Sequence, residues 1–489
     1  MKLRKDIVAA MFILVSSIQT AGAQIVLSDL NFWKFEHTEN EELRGGPSVQ
    51  LNTRPLVEKI AEKDNEPLFH LRKIGFEYTS SSNIPSNQQR EGIWITKGDN
   101  YHFYSEMGLV DEDYTIWIEP KMIASENLSL DEHPEGAFHP RSGDHILRYP
   151  EESEAYAKGF LHSGYGLFPF ANWYLFLGKD NQKFGAGKHD SLHFSNSAEP
   201  FPMVRLGMIS PYSGSWGNLS FLAYYGQMEA DREVPNAKFS GMRFDWNSDQ
   251  YFEVGVSRSW FAGGKEQNNS FSHTYWDLTN ELFKPKSGIE SRSDFRNQQI
   301  VLDFRIKIPV LKTVLYGEWG REDHQFALKD SIIYWDSTHG YILGLKNIDL
   351  FFPGFFWLFE KANNVQPSRY GASAPWYNHS EYKSGWTYKK QTLGHHMGAD
   401  SQDLFFALGF EGPQFSIMFY QDAEEHGIRT IELNRRELKM ETGFKGFWNF
   451  MPDFYWDFEF QMQKYKNFGE VTDNTIESTM VIMGIRYQI

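Results

Sequence analysis

The chain has 489 residues, with 48 Lys and Arg against 64 Asp and Glu for a net charge of −16, and no cysteine. Disulfide frameworks, thiol nucleophiles and thiolate metal sites are thereby excluded, and an acidic chain has no broad electrostatic claim on nucleic acid or anionic lipid. Aromatic residues make up 16% of the chain although its mean hydropathy is −0.52, a pairing that suits a membrane barrel with aromatic girdles and a polar interior better than a large soluble all-β protein.

Lys2, Arg4 and Lys5 precede an apolar run over residues 7–15, and Ala21-Gly22-Ala23 offers a small-residue cleavage site, so residues 1–23 read as a secretory signal peptide. With no cysteine, no lipid is expected on the mature N-terminus. Residues 24–95 are expected to form a small N-terminal, plug-like segment. Within it Thr53-Arg54-Pro55 followed by Leu56, Val57, Ile60 and Ala61 predicts one short capped helix with proline in its first turn.

Residues 96–489 are expected to form the barrel. No apolar run approaches the ~18 residues of a spanning helix; the best, residues 351–359, is interrupted by Pro353 and Gly354. Period-2 alternation recurs instead. In residues 300–308 the apolar phase Ile300, Leu302, Phe304, Ile306 and Ile308 opposes Asp303, Arg305 and Lys307. Residues 453–465 repeat the pattern, with Phe454, Trp456, Phe458, Phe460 and Met462 against Asp457, Glu459, Gln461 and Gln463. Shorter examples are residues 114–118, 252–256 and 415–419. The chain closes on Val481, Met483, Ile485, Tyr487 and Ile489, an apolar phase held to the last residue as in a strand facing lipid on one side and a wet lumen on the other. At ~20 to 24 residues per strand and connection, about 16 to 20 strands fit. Long loops are expected at 128–149, 268–298, 362–398 and 421–429, on the cell exterior.

Residues 178–202, GKDNQKFGAGKHDSLHFSNSAEPFP, interrupt the alternation. A phosphate loop fails on spacing, because Gln182 and His189 stand where glycine and Ser or Thr are needed. Gly185-Ala186-Gly187, then Asp190-Ser191-Leu192, Phe194-Ser195-Asn196, Ala198 and Pro200-Phe201-Pro202 resemble the signature of the Wzi family of capsule assembly proteins. Gly92-Ile93-Trp94 to Tyr101, Ile118-Glu119-Pro120, Val254 to Arg258 with Gly263-Gly264, Tyr316-Gly317-Glu318, and Tyr377-Asn378-His379 through Asp400-Ser401 follow in that family's order. Lys183-Phe184 and Ala186 depart from its tryptophan pair and intervening proline. The resemblance implies an all-β protein, a transmembrane antiparallel β-barrel of about eighteen strands in the cell outer membrane, that holds capsular or extracellular polysaccharide at the surface.

Polysaccharide binding needs planar aromatic faces and paired polar groups. Trp376, Tyr377, Tyr382, Trp386 and Tyr388, with Asn378 and His379, supply both in one segment, which is the candidate glycan-binding loop; the other reading makes these aromatics interface girdle residues. Gly185, Gly187, Lys188, His189, Asp190, Ser195 and Asn196, followed by Pro200 and Pro202, form either a lumen-facing polar cluster or a network that satisfies the backbone of a loop folded into the barrel. No Gly-x-Ser-x-Gly elbow or His-Glu-x-x-His zinc motif is present. Acidic runs such as Asp111-Glu112-Asp113, Glu151-Glu152 and Glu424-Glu425 read as solvated loop charges, so no enzyme activity is expected. His133, His139 and His145, and the pair His395-His396, lack a metal-motif spacing; neither metal nor cofactor is expected. The expected partners are polysaccharide, outer-membrane lipid and a polysaccharide-export apparatus, with no nucleic acid. A porin for small solutes or saccharides is the competing class, and a soluble periplasmic β-protein the third.

Overall fold

The computed structural model describes residues 25–27, 32–46, 51–53, 56–58, 68–86, 90–130, 154–248, 251–276, 296–322, 337–370 and 375–488. The expected signal peptide and His133, His139 and His145 lie outside these residues.

Antiparallel strands close into an eighteen-stranded barrel, in which Pro202–Met208 and Tyr212–Gly214 pair the same neighbour, Gly217–Gln227, and count as one interrupted strand. The last strand, Thr475–Gln488, closes the barrel against Leu68–Ser81, in register from Met480 opposite Ser81 to Gln488 opposite Lys73. The barrel therefore begins at Leu68, upstream of the boundary expected at residue 96. A register shift between Leu71 and Lys73 hid this strand. Phe69 faces outward before the shift and Ile74 after it, so neither phase runs long enough to read as alternation.

Burial along the strands is inverted relative to a soluble protein. In Asn297–Ile308, Asp303, Arg305 and Lys307 are buried toward the lumen, whereas Leu302 and Ile308 are exposed on the outer wall. Phe103, Met122, Leu343, Leu404, Phe419, Met462 and Met483 extend this exposed apolar surface around the barrel, the surface a bilayer covers. Acidic residues expected in a loop at 421–429 instead complete the strand Phe415–His426, with Asp422, Glu424 and His426 directed into the lumen. A wet interior makes a charged lumen phase compatible with a strand.

The two ends of the barrel differ. At one end the strands join through short turns, including those at Ala171-Asn172 and Pro452-Asp453; at the other, connections such as 180–201 and 364–400 are long. Exposed Tyr212, Trp216, Tyr251, Phe351, Phe352, Phe415 and Trp448 cluster at the short-turn end, where an aromatic girdle meets the headgroups. Short turns mark the periplasmic end and long loops the outside.

The N-terminal helix is Phe32–Leu43. The helix expected after Thr53 is not formed over its described residues: Leu56–Glu58 is a strand paired with Ile25–Leu27, while Ile60 and Ala61 lie outside the described residues. On the real helix Glu36, Glu39, Asn40 and Leu43 recur at helical spacing and are buried, so its docking face is acidic and carries no apolar stripe for sequence reading to find. Glu411 receives Asn40 and His37, and Arg44 contacts Asp349 at 3.1 Å. Both acceptors adjoin short turns, so the helix closes the periplasmic end.

Candidate functional site

Two long connections fold back into the lumen and fill it. The first, residues 180–201, is held by carboxylates projecting from the barrel wall. Glu360 accepts the backbone N–H groups of Lys188, His189 and Asp190 at 2.7, 3.1 and 3.3 Å, and the Tyr316 hydroxyl at 2.8 Å. Glu318 accepts those of Gly187 and Leu192, both at 2.8 Å. The tight path explains two of the glycines. Gly185 has φ +134°, and a Cβ on Gly187 would lie 1.7 Å from the Asp190 carbonyl oxygen. Leu51, Asn52 and Thr53 thread beside this segment, where Asn52 accepts the Gly185 N–H at 2.9 Å.

The second connection, residues 364–400, packs on the first. Ser195 Oγ donates to the Gly394 carbonyl at 2.7 Å, and Asp190 Oδ2 accepts the His396 N–H at 2.8 Å. Pro200 is buried near the end of the first connection, and Pro202 opens the following strand, where a missing N–H is tolerated. Asn196 and Lys188 line an interior cavity of about 340 Å³, together with Lys73, Arg90, Lys121 and Arg486. Lys188 also reaches the helix, 2.7 Å from Glu39. The residues from Gly185 to Asn196 thus satisfy an irregular backbone inside the barrel, and some of them face the lumen cavity.

The aromatic candidates are corrected by their burial. Trp376, Tyr377 and Trp386 are fully buried, and Tyr382 and Tyr388 nearly so, in an apolar core with Phe184, Leu192, Phe194, Phe201, Phe239 and Phe261. Their polar tips serve the plug: Tyr377 Oη donates to Leu192 O at 2.6 Å, Trp386 Nε1 to His193 O at 3.2 Å, and Tyr382 Oη to Gly263 O at 3.0 Å. His379 Nδ1 accepts the N–H groups of Glu381 and Tyr382, both at 3.1 Å, and orders the turn; neighbouring Asn378 is half-buried. These rings offer no open face to a sugar. Nor are they girdle residues, because the loop carrying them turns inward.

Sequence reading missed a groove of about 450 Å³ at the long-loop end. Trp94, Tyr156 and Phe160 supply aromatic surface, while Lys158, Lys179 and Lys389 supply cations, with Asn127 and Glu199 beside them. Lys389 is held 2.5 Å from Glu199, and Lys158 lies 5.7 Å from the Phe160 ring centroid. Ile93 and Ile123 line both this groove and the interior cavity beneath it. The residues come from six separate stretches of chain, so no local motif announces them; the family-like Gly92-Ile93-Trp94 was the nearest signal.

A lipid-covered wall, a lumen filled by its own loops and a groove at the outer mouth define a plugged outer-membrane β-barrel rather than an open channel. The chain belongs to the capsule assembly protein Wzi family, whose profile matches residues 75–478. A Klebsiella pneumoniae protein described only as an uncharacterised 55.8 kDa protein in the cps region is 28% identical over 192 residues, 37% of this chain and 36% of that one. The chain thus aligns with about a third of the length of that relative. The solved structure of Wzi from Escherichia coli, described as an outer-membrane protein involved in group 1 capsule assembly and a carbohydrate-binding β-barrel, superposes with a TM-score of 0.66. It shares 16% identity, over 96% of this chain and 100% of that one, and establishes the common fold.

Proposed function

We propose that this barrel binds capsular or extracellular polysaccharide at the cell surface and organises it without catalysis, through the groove at its outer mouth. The observation that carries this reading is the meeting of Trp94, Tyr156 and Phe160 with Lys158, Lys179 and Lys389, on a chain whose net charge is −16. Aromatic faces suit sugar rings, and lysines suit the carboxylates of an acidic polymer. Each contact is weak. Retention comes from many barrels gripping one long chain, so avidity replaces affinity. The filled lumen argues against the porin reading. Membrane lipid and a polymer-export apparatus complete the proposed set of partners.

The test is retention of polysaccharide extracted from the host on detergent-purified barrel, with an unrelated barrel as control. Specific retention that weakens with added salt and falls in a Trp94→Ala, Lys158→Glu, Lys389→Glu variant is expected. Retention no better than the control, or unchanged in a folded variant, would sink the groove as the site.

A further inference from the structure

Deep in the lumen, four side chains from three parts of the chain point at one another. His189 comes from the first inward loop and His396 from the second, while Asp403 and Asp422 project from the adjacent strands Ser401–Glu411 and Phe415–His426. One nitrogen or oxygen of each lies within 4.8 Å of all the others. His189 Nε2 is 3.6 Å from Asp403 Oδ2 and 3.5 Å from Asp422 Oδ2; His396 Nε2 is 3.4 and 4.0 Å from the same two oxygens. Asp403, Asp422 and His396 are almost wholly buried. Yet His189 Nε2, His396 Nε2 and both oxygens of each aspartate have no hydrogen-bond partner among the described residues. Four polar side chains that converge with these buried atoms left unsatisfied are unfavourable unless something binds there.

We infer that this cluster is a binding site for a divalent transition-metal cation of the zinc class, with His189, His396, Asp403 and Asp422 as its ligands. In a tetrahedron with bonds of ~2.0 Å, donor atoms stand about 3.3 Å apart, so on binding the histidine–carboxylate distances of 3.4 to 4.0 Å close by about 0.1 to 0.7 Å. Two carboxylates neutralise one dication, and the imidazole–carboxylate mixture suits zinc-class ions rather than calcium or magnesium, which prefer more oxygen ligands. The outer shell is also built. His396 Nδ1 lies 2.8 Å from Asp190 Oδ2, a carboxylate that fixes the ring and leaves Nε2 free to ligate. The His189 ring stacks on Phe405 with centroids 3.9 Å apart. His395 Nε2, 3.6 Å from Asp403 Oδ2, and Glu424 Oε1, 3.7 Å from His396 Nε2, complete the surroundings; Glu424 is paired with Lys439 at 2.8 Å and His426 at 3.0 Å. Neither inward loop can leave without losing a ligand, so the ion fastens both to the barrel wall. This replaces the sequence expectation of no metal.

The experiment measures metal in the full-length barrel, purified in detergent without chelator, equilibrated with zinc and desalted. Elemental analysis is expected to find about one tightly held ion per chain. Cobalt loading should give the intense visible absorption of a four-coordinate site, and a strong chelator should lower the thermal midpoint and speed protease cleavage of residues 180–201. Asp403→Asn with Asp422→Asn should abolish the bound ion, whereas Glu91→Gln, in a separate acidic and histidine cluster with Glu119 and His162, should retain it. Metal at the level of an unrelated barrel, no cobalt spectrum, or full binding by the folded double variant would overturn the assignment. If that variant does not fold, the cobalt spectrum of the unaltered protein decides.

Discussion

Single carboxylates hold the plug. Glu360 neutralises three consecutive backbone N–H groups and a tyrosine hydroxyl, a role that position in a strand does not reveal. Leaving a buried donor without an acceptor costs about 1 to 3 kcal/mol. Glu360→Ala is therefore expected to destabilise the plugged state by about 3 kcal/mol or more, read as a lower thermal midpoint and faster proteolysis within 180–201; an unchanged midpoint would refute it. Gly187→Ala should act in the same direction, since its Cβ has no room beside the Asp190 carbonyl. By contrast His193, in the plug core, is built to stay neutral. Burial, reinforced by the positive charge of Arg243, pushes His193 down to about 3.

At the scale of elements, the helix Phe32–Leu43 is attached by charge rather than by an apolar stripe. Burial alone would raise the Glu36 and Glu39 carboxyls, but Lys346 and Lys188 outweigh it, joined at Glu39 by Arg305, and both are held below the usual 4.5. A depressed carboxylate stabilises docking above the unfolded pKa, and that contribution is lost as pH falls through the folded value. Helix protection is thus expected to persist at pH above 4.5 and to fail only well below it. Hydrogen exchange of residues 32–43, corrected for intrinsic rate, checks this; loss of protection while both carboxylates remain ionised would refute it. Glu39→Gln removes a buried partner from Lys188 and Lys346, which lie 2.7 and 3.1 Å away, and should raise exchange of the helix at neutral pH.

For the whole molecule, the two inward loops and the helix turn a wide barrel into a filled one. An eighteen-stranded wall with an empty lumen would conduct ions. Planar-bilayer recordings of the intact barrel are expected to show little conductance, and deletion of residues 366–398 should open a pore in a barrel that keeps its heat-modifiable mobility. Large, steady conductance from the intact protein would return the porin reading to first place. The exposed apolar wall also predicts that extraction requires detergent.

Recurrent alternation of apolar and charged residues determined the barrel, because each strand meets lipid on one face and the polar lumen on the other whatever its neighbours are. The glycine-rich stretch between Lys179 and Pro202 was likewise legible as an irregular loop. Tertiary structure alone decided where the aromatics go. Trp376 and Trp386 carry the same composition whether they face a sugar, a headgroup or Phe239, and only the inward fold of their loop buries them. It alone also assembled the groove around Trp94 and Lys158 and brought His189 to Asp403 and Asp422. Strand pairing across the closed sheet sets those neighbours, and residues hundreds of positions apart leave no local pattern when they meet only in the lumen.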